Sequence, residues 1–157
     1  MQKSADNIIA VIGQGRDCTP ELIRLAEEVG TEIAQHRVIL ICGGLGGIME
    51  AASRGAKNAG GLTIGVLPGT AKRDANPYID IPIVTGMSEA RNVIITRTAD
   101  AVIAVGGFYG TLSEIAFSLA FGKPVVGLRT WEIDENIHHV ETAEEAVELA
   151  IKVIRDK

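Results

Sequence analysis

Val105-Gly106-Gly107-Phe108-Tyr109-Gly110-Thr111-Leu112-Ser113-Glu114 follows an apolar run, Ala101 to Val105, and precedes a helical stripe of Leu112, Ile115, Ala116 and Leu119. The run reads as a buried parallel strand. The stretch is therefore a strand, a glycine turn and a helix start. Glycines at such a junction let the backbone approach a ligand. The free N–H groups and dipole of the new helix favour an anion. Gly106 to Thr111 thus reads as a phosphate-binding loop, with Glu114 one turn into the helix, where a carboxylate can face the ligand. Thr111-x-x-Glu114 also has the spacing of a helix capping box. The same spacing recurs at Thr142-x-x-Glu145 with no glycine loop before it, so the spacing alone does not separate the two readings.

The same unit repeats on both sides. Ile8 to Ile12 is a buried strand running into Gly13-Gln14-Gly15, the front half of a dinucleotide fingerprint whose third glycine is missing. Gly13 and Gly15 are either ligand contacts or a plain turn. Thr19-Pro20-Glu21 starts a helix with a capping threonine, a proline at the first helical position and an acid in the first turn. Val38 to Cys42 is a second buried strand, ending in Gly43-Gly44-Leu45-Gly46-Gly47. Four glycines in five residues point to ligand or close backbone contact at Gly43, Gly44 and Gly47. The helix after them carries a stripe of small residues from Ile48 to Ala59, and Gly60-Gly61 ends it. Leu62 to Leu67 is the third strand. Pro68 to Asp80 is a polar loop in which Lys72 and Arg73 read as solvated.

Ile81 to Val84 contains Pro82 and reads as an edge or irregular strand. Gly86 to Asn92 opens the next helix. Arg91 falls in its first turns, where a cation opposes the helix dipole by roughly half a kcal/mol. A residue that breaks a local rule is a functional candidate; the alternative is an arginine reaching to an acid such as Glu89. Beyond the central loop, Val125 to Leu128 is a sixth strand, Ile137 to Val140 a short edge strand, and Ala143 to Ile154 a final amphipathic helix. Strands and helices alternate without a linker. Residues 1–157 therefore form one α/β domain, a single doubly wound and mostly parallel sheet with helices on both faces. Every glycine turn follows a strand, so all three converge on the carboxyl edge, where such sheets bind ligands.

Bulk composition agrees. The chain has 157 residues, 46% hydrophobic and 22% charged, enough for one sizeable core. A net charge of -5 and 4% aromatics argue against a nucleic-acid partner. Cys18 and Cys42 form no C-x-x-C pair, and adjacent His138 and His139 would point to opposite faces of a strand, so no metal site is expected. Asp6-Asn7 before a short apolar run is no signal peptide, and no run approaches the ~18 residues of a membrane span. A cytoplasmic protein with reduced cysteines and no membrane partner is the expectation.

Three stretches together carry a resemblance: Gly43-Gly44-Leu45-Gly46-Gly47-Ile48-Met49-Glu50, Ala90-Arg91-Asn92, and Gly106 to Glu114. They resemble the Rossmann-like SLOG family that includes the molybdenum cofactor (Moco) carrier proteins and the LOG-type proteins, often labelled lysine decarboxylases. The likeness runs along nearly the whole chain. LOG-type proteins hydrolyse nucleoside 5'-monophosphates and carry P-G-G-x-G-T-x-x-E with an upstream R-K pair. Carried over, Glu114 matches their catalytic glutamate, Arg91 their arginine, and Gly107, Gly110 and Thr111 their phosphate loop. Gly106 stands where LOG has proline, Phe108 where it has a second glycine, and Asn92 where it has lysine. Arg91-Asn92 and the looser loop look more like the Moco carriers, which bind a pterin phosphate.

The first expectation is a binding protein for a phosphorylated small molecule, an AMP-like nucleotide or the molybdenum cofactor, with no resident cofactor required. The binding set is Gly13, Gly15, Gly43, Gly44, Gly47, Met49, Arg91, Asn92, the loop residues Gly106, Gly107, Phe108, Tyr109, Gly110 and Thr111, and Glu114. The alternative is a nucleoside 5'-monophosphate phosphoribohydrolase in which Glu114 stabilises positive charge on the ribose and activates water, and Arg91 orients the sugar phosphate. No second carboxylate is identifiable as the acid. The resemblance and the small-residue stripe imply a homo-oligomer, a dimer or tetramer.

Overall fold

The apolar runs separated by glycine turns become strands, and the 3.6-residue stripes become helices. The computed structural model describes residues 6–157. Along them run β1 (Ile8–Gly13), α1 (Pro20–Gln35), β2 (Ile39–Cys42), α2 (Ile48–Asn58), β3 (Thr63–Leu67) and β4 (Ile81–Val84). Then follow α3 (Asn92–Thr98), β5 (Ala101–Val105), α4 (Tyr109–Ala120), β6 (Val125–Leu128), β7 (Ile137–His139) and α5 (Ala143–Arg155). The sheet order is β4-β3-β2-β1-β5-β6-β7. Every neighbouring pair is parallel, so "mostly parallel" becomes wholly parallel among the described residues.

The chain steps outward from β1 to β4, then crosses back to place β5 against the other side of β1. That reversal opens a crevice at the carboxyl ends of β1 and β5, the place where this architecture binds ligands. Alternate residues of β1 face opposite ways. Ile9 and Val11 join the core under α1, α2 and α5, whereas Ala10 and Ile12 join the core under α3 and α4. The two-residue period of a strand thus feeds two helical layers, as a doubly wound sheet requires.

Local signals act as their chemistry dictates. Thr19 Oγ1 accepts from the Leu22 N–H at 3.2 Å and Pro20 opens α1. Pro82 lies on the edge strand β4, where one side has no ladder to supply. The small residues of α2 are consumed within the chain. A Cβ on Gly30 of α1 would fall 1.9 Å from the Ala52 carbonyl oxygen, and one on Gly55 of α2 would fall 2.0 Å from that of Glu27. The two helix backbones touch, and Arg54 clamps Glu27 across them with hydrogen bonds of 3.0 and 2.9 Å. The stripe that seemed available to a second subunit therefore packs α2 on α1. No helix of the described residues is long and apolar enough to cross a membrane.

Candidate functional site

The decisive loop starts one turn earlier than a capping box would need. Gly106 and Gly107 turn the chain after β5, and α4 begins at Tyr109 with Phe108 in the N-cap position and no side-chain cap. Thr111 is the third residue of α4 and cannot cap it; Glu114 is the sixth. The capping-box reading of Thr111-x-x-Glu114 is thereby overturned. The N–H of Leu112 bonds the Phe108 carbonyl, and no side chain caps the N–H groups of Tyr109, Gly110 and Thr111. These are the orphan donors that give a helix start its affinity for anions. Gly107 itself is different. Its φ is +120°, which needs glycine, and its N–H is already held by Oε1 of Gln14.

Arg91 is reached through a 3-10 turn, Ser88–Arg91, that runs straight into α3. Its side chain leaves the helix axis and is buried, 7% exposed. Nε donates to the Val66 carbonyl at 2.8 Å, Nη2 to the Gly43 carbonyl at 3.5 Å, and Nη1 to Oδ1 of Asn92. The proposed reach to Glu89 is not made: Glu89 is exposed, and no ion pair joins the two among the described residues. Asn92 Nδ2 donates to Ser113 Oγ at 3.3 Å, and Ser113 Oγ donates to the Gly110 carbonyl at 2.7 Å. One polar chain thus ties Arg91 to the first turn of α4.

Glu114 is also 7% exposed. Burial pushes its carboxyl up to about 8, with the Arg91 charge pulling the other way. Burial holds the Arg91 guanidinium below its ordinary range, and Glu114 opposes that shift. Near neutral pH the site therefore presents a cation beside a protonated carboxyl, a hydrogen-bond donor, rather than an ion pair.

These groups line a cavity of about 500 Å³ at the switch point. Of the residues singled out in the sequence, Gly13, Gly15, Gly43, Met49, Arg91, Asn92, Phe108, Gly110, Thr111 and Glu114 line it. Gly44, Gly47, Gly106, Gly107 and Tyr109 do not. A Cβ on Gly44 would lie 2.7 Å from Leu67 Cδ2, and one on Gly47 would lie 2.3 Å from the Gln14 carbonyl oxygen, so these glycines serve the packing of one loop on another. Gly106 and Gly107 border a separate hollow. Tyr109 is 81% exposed, its ring stacked on Trp131. Lys72 and Arg73 are exposed, as a solvated loop requires; from that loop only Pro68 reaches the cavity. Sequence reasoning missed Val11, Ile12, Gln14, Arg16, Leu45, Pro68 and Glu89 as lining residues. Gln14 stood between two glycines already under suspicion, and Glu89 had been named only as a partner for Arg91. Cys42 is buried, its thiol pushed up by burial, and no group of three or more metal-ligating side chains gathers among the described residues.

Fold and cavity together define a Rossmann-like α/β protein with a cavity at the carboxyl edge of its sheet. The chain belongs to the SLOG cluster4 family, whose sequence model it matches over residues 6–155. An uncharacterized protein of Archaeoglobus fulgidus is 49% identical over 144 residues, which are 91% of this chain and 93% of that one. The molybdenum cofactor binding protein from the phototrophic bacterium Rippkaea orientalis superposes with a TM-score of 0.91 at 37% identity, covering 96% of this chain and 98% of that one. A cytokinin riboside 5'-monophosphate phosphoribohydrolase of Mycobacterium tuberculosis is 33% identical over 138 residues, 82% of this chain and 73% of the relative. The resemblance to both branches, Moco carriers and LOG-type proteins, stands.

Proposed function

We propose that this protein binds a phosphorylated small molecule, with the phosphate at the uncapped start of α4, beside the cavity that Arg91 lines. The observation that carries the reading is the start of α4, where no side chain caps the first N–H groups and Gly110 and Thr111 line the cavity; the state of Glu114 agrees with it. A carboxylate anion beside a phosphate would repel it; a carboxyl held neutral to about pH 8 donates a hydrogen bond instead. The likeness to a molybdenum cofactor binding protein supports the same reading, with that cofactor as cargo. An AMP-like nucleotide presents the same phosphate.

The test is thermal unfolding of the protein with AMP, adenosine and inorganic phosphate. AMP raises the midpoint more than adenosine, and a ligand at about 100 times its dissociation constant adds about 2.7 kcal/mol. Equal shifts from AMP and adenosine remove the phosphate from the reading. Gly110→Val erases the difference while the fold persists. No atom lies within 4 Å of a Cβ at Gly110, so the new side chain projects into the open cavity. Gly110 is not among the glycines of positive φ, and its place in the first turn of α4 accepts a β-branched residue.

A second reading, hydrolysis of the N-glycosidic bond of a nucleoside monophosphate, is favoured by the Mycobacterium tuberculosis relative and by the proton on Glu114. Glu114 then acts as the acid, not the base: its proton goes to the departing base nitrogen as the C1'–N bond breaks and water adds to C1'. On this reading the proton of that water goes to Glu89, a carboxylate that lines the cavity. Release of free adenine from AMP decides it. On this reading Glu114→Gln cuts turnover by about 10²–10⁴-fold; no base released by the wild-type protein from any monophosphate rejects it.

A further inference from the structure

A second hollow, of about 400 Å³, abuts the main cavity. Gln14 belongs to the lining of both and forms the wall between them. That wall is fixed: Gln14 is 8% exposed, its Oε1 accepts the Gly107 N–H, and its Nε2 donates to the Asp17 carbonyl at 3.4 Å. The hollow opens on the β6 side of the switch point, bounded by Leu22, the Gly106–Gly107 peptide, Arg129, Thr130 and Trp131.

Its chemistry differs from that of the main cavity. Arg129 is the one charged residue in its lining, and Glu21 pairs with it, so the charge is already matched. Thr130 Oγ1 donates to the Gly106 carbonyl at 2.6 Å, and Trp131 Nε1 to the Phe108 carbonyl at 3.3 Å. With those polar atoms engaged, the hollow offers flat apolar surface: an indole, a leucine side chain and peptide without side chains. The Tyr109 ring stacks on Trp131 with centroids 6.3 Å apart and planes at 28°. Phe108 beside it is 44% exposed. Tyr109 and Trp131 thus form a stacked pair at the hollow that Trp131 lines, and Phe108 belongs to the main cavity next to it. Aromatic rings left exposed together at a cavity form a stacking platform.

We propose that the Trp131 hollow is a ring subsite beside the main cavity, taking the planar heteroaromatic ring of a ligand that passes the Gln14 wall to set its phosphate at the start of α4. The position of that phosphate rests on the function proposed above; the ring subsite itself does not. A purine and a pterin share the chemistry required, and the probes separate them.

Trp131 is the only tryptophan, so intrinsic fluorescence reports this hollow directly. The protein is titrated with adenine, a hydroxymethylpterin, AMP and inorganic phosphate, and affinities for its variants are taken by calorimetry. At least one ring probe quenches Trp131, and inorganic phosphate binds without quenching. Trp131→Ala weakens the quenching ring probe about tenfold or more, the usual worth of one stacked base, and leaves inorganic phosphate unchanged. Trp131→Phe restores ring affinity and shows that the loss is one of stacking and not of folding. The proposal is overturned if neither ring probe quenches, or if Trp131→Ala binds them as wild type does. Ring probes that bind while phosphate does not would sink the phosphate reading and leave this subsite standing; the converse would sink the subsite alone.

Discussion

At the start of α5, Thr142 stands at the N-cap, and its Oγ1 accepts the Glu145 N–H at 3.2 Å while Glu145 Oε2 accepts the Glu141 N–H at 3.1 Å. Both side chains lie at the surface of the chain's last helix, and their work is local. At the start of α4 the same Thr-x-x-Glu spacing does nothing of the kind. The Gly106–Gly107 turn lets the helix begin at Tyr109, so Thr111 and Glu114 are already inside it, on the face shared with Ile115 and Ser118 that turns inward. Three residues of offset convert a cap into a buried carboxyl. The lesson is that such a motif has no meaning until the first helical residue is known, and that residue is set by the loop before it.

The largest effect that sharpens this contrast comes from the cation that only one of the two glutamates has. Arg91→Ala removes the donors to the Val66 and Gly43 carbonyls and leaves a cavity, at an expected cost of about 3–5 kcal/mol. It also lets the Glu114 carboxyl rise further, since Arg91 is what holds it down. Denaturant titration checks the first and NMR titration of Glu114 the second. A loss below about 1 kcal/mol would mean that Arg91 is a loosely held surface cation.

Next in size is the pH dependence that Glu114 introduces. Its folded value near 8 lies above the ordinary 4.5, so above that lower value the folded state keeps a proton that the unfolded state has lost. Stability therefore falls as pH rises, by up to roughly 1.4 kcal/mol per unit, until the folded value is passed. Glu114→Gln removes this slope. Relative to wild type the variant gains about 3 kcal/mol between pH 5 and pH 8. Parallel pH profiles for wild type and Glu114→Gln would return Glu114 to the class of solvated glutamates.

The sequence made much of this legible, and the residues show where legibility stopped. Strand runs such as Ile8–Ile12 and stripes such as that of α5 depend on short-range periodicity, which the chain displays openly. Arg91 was visible because a cation near a helix start breaks a local rule. Gln14 was not: its contact is with Gly107, 93 residues away, and exists only because the crossover lays β5 against β1. The glycines of the β2–α2 turn were read as ligand contacts, and two of them instead answer to Leu67 and to the Gln14 carbonyl, contacts that no spacing announces. Tyr109 and Trp131, 22 positions apart in the chain, meet only through the β5–β6 pairing.

The smallest effect is the most discriminating, because it asks the two threonines the same question. Thr142→Val deletes the hydroxyl that accepts the Glu145 N–H, and the loss of such a cap costs about 1 kcal/mol. It leaves phosphate binding alone, since Thr142 lies outside the main cavity. Thr111→Val deletes a hydroxyl that makes no hydrogen bond among the described residues and belongs to the cavity wall. Valine keeps the methyl that packs beneath Gly107, where a Cβ would come within 2.4 Å of Thr111 Cγ2. Stability should then change by less than about 0.5 kcal/mol, within the range of substitutions that break no packing or capping. Affinity for inorganic phosphate should fall about tenfold, the worth of one hydrogen bond to a charged group. Thermal unfolding with and without phosphate measures both quantities on both variants. If Thr111→Val lost as much stability as Thr142→Val and kept its phosphate, the two motifs would be doing the same job after all, and the anion site at the start of α4 would have to be abandoned.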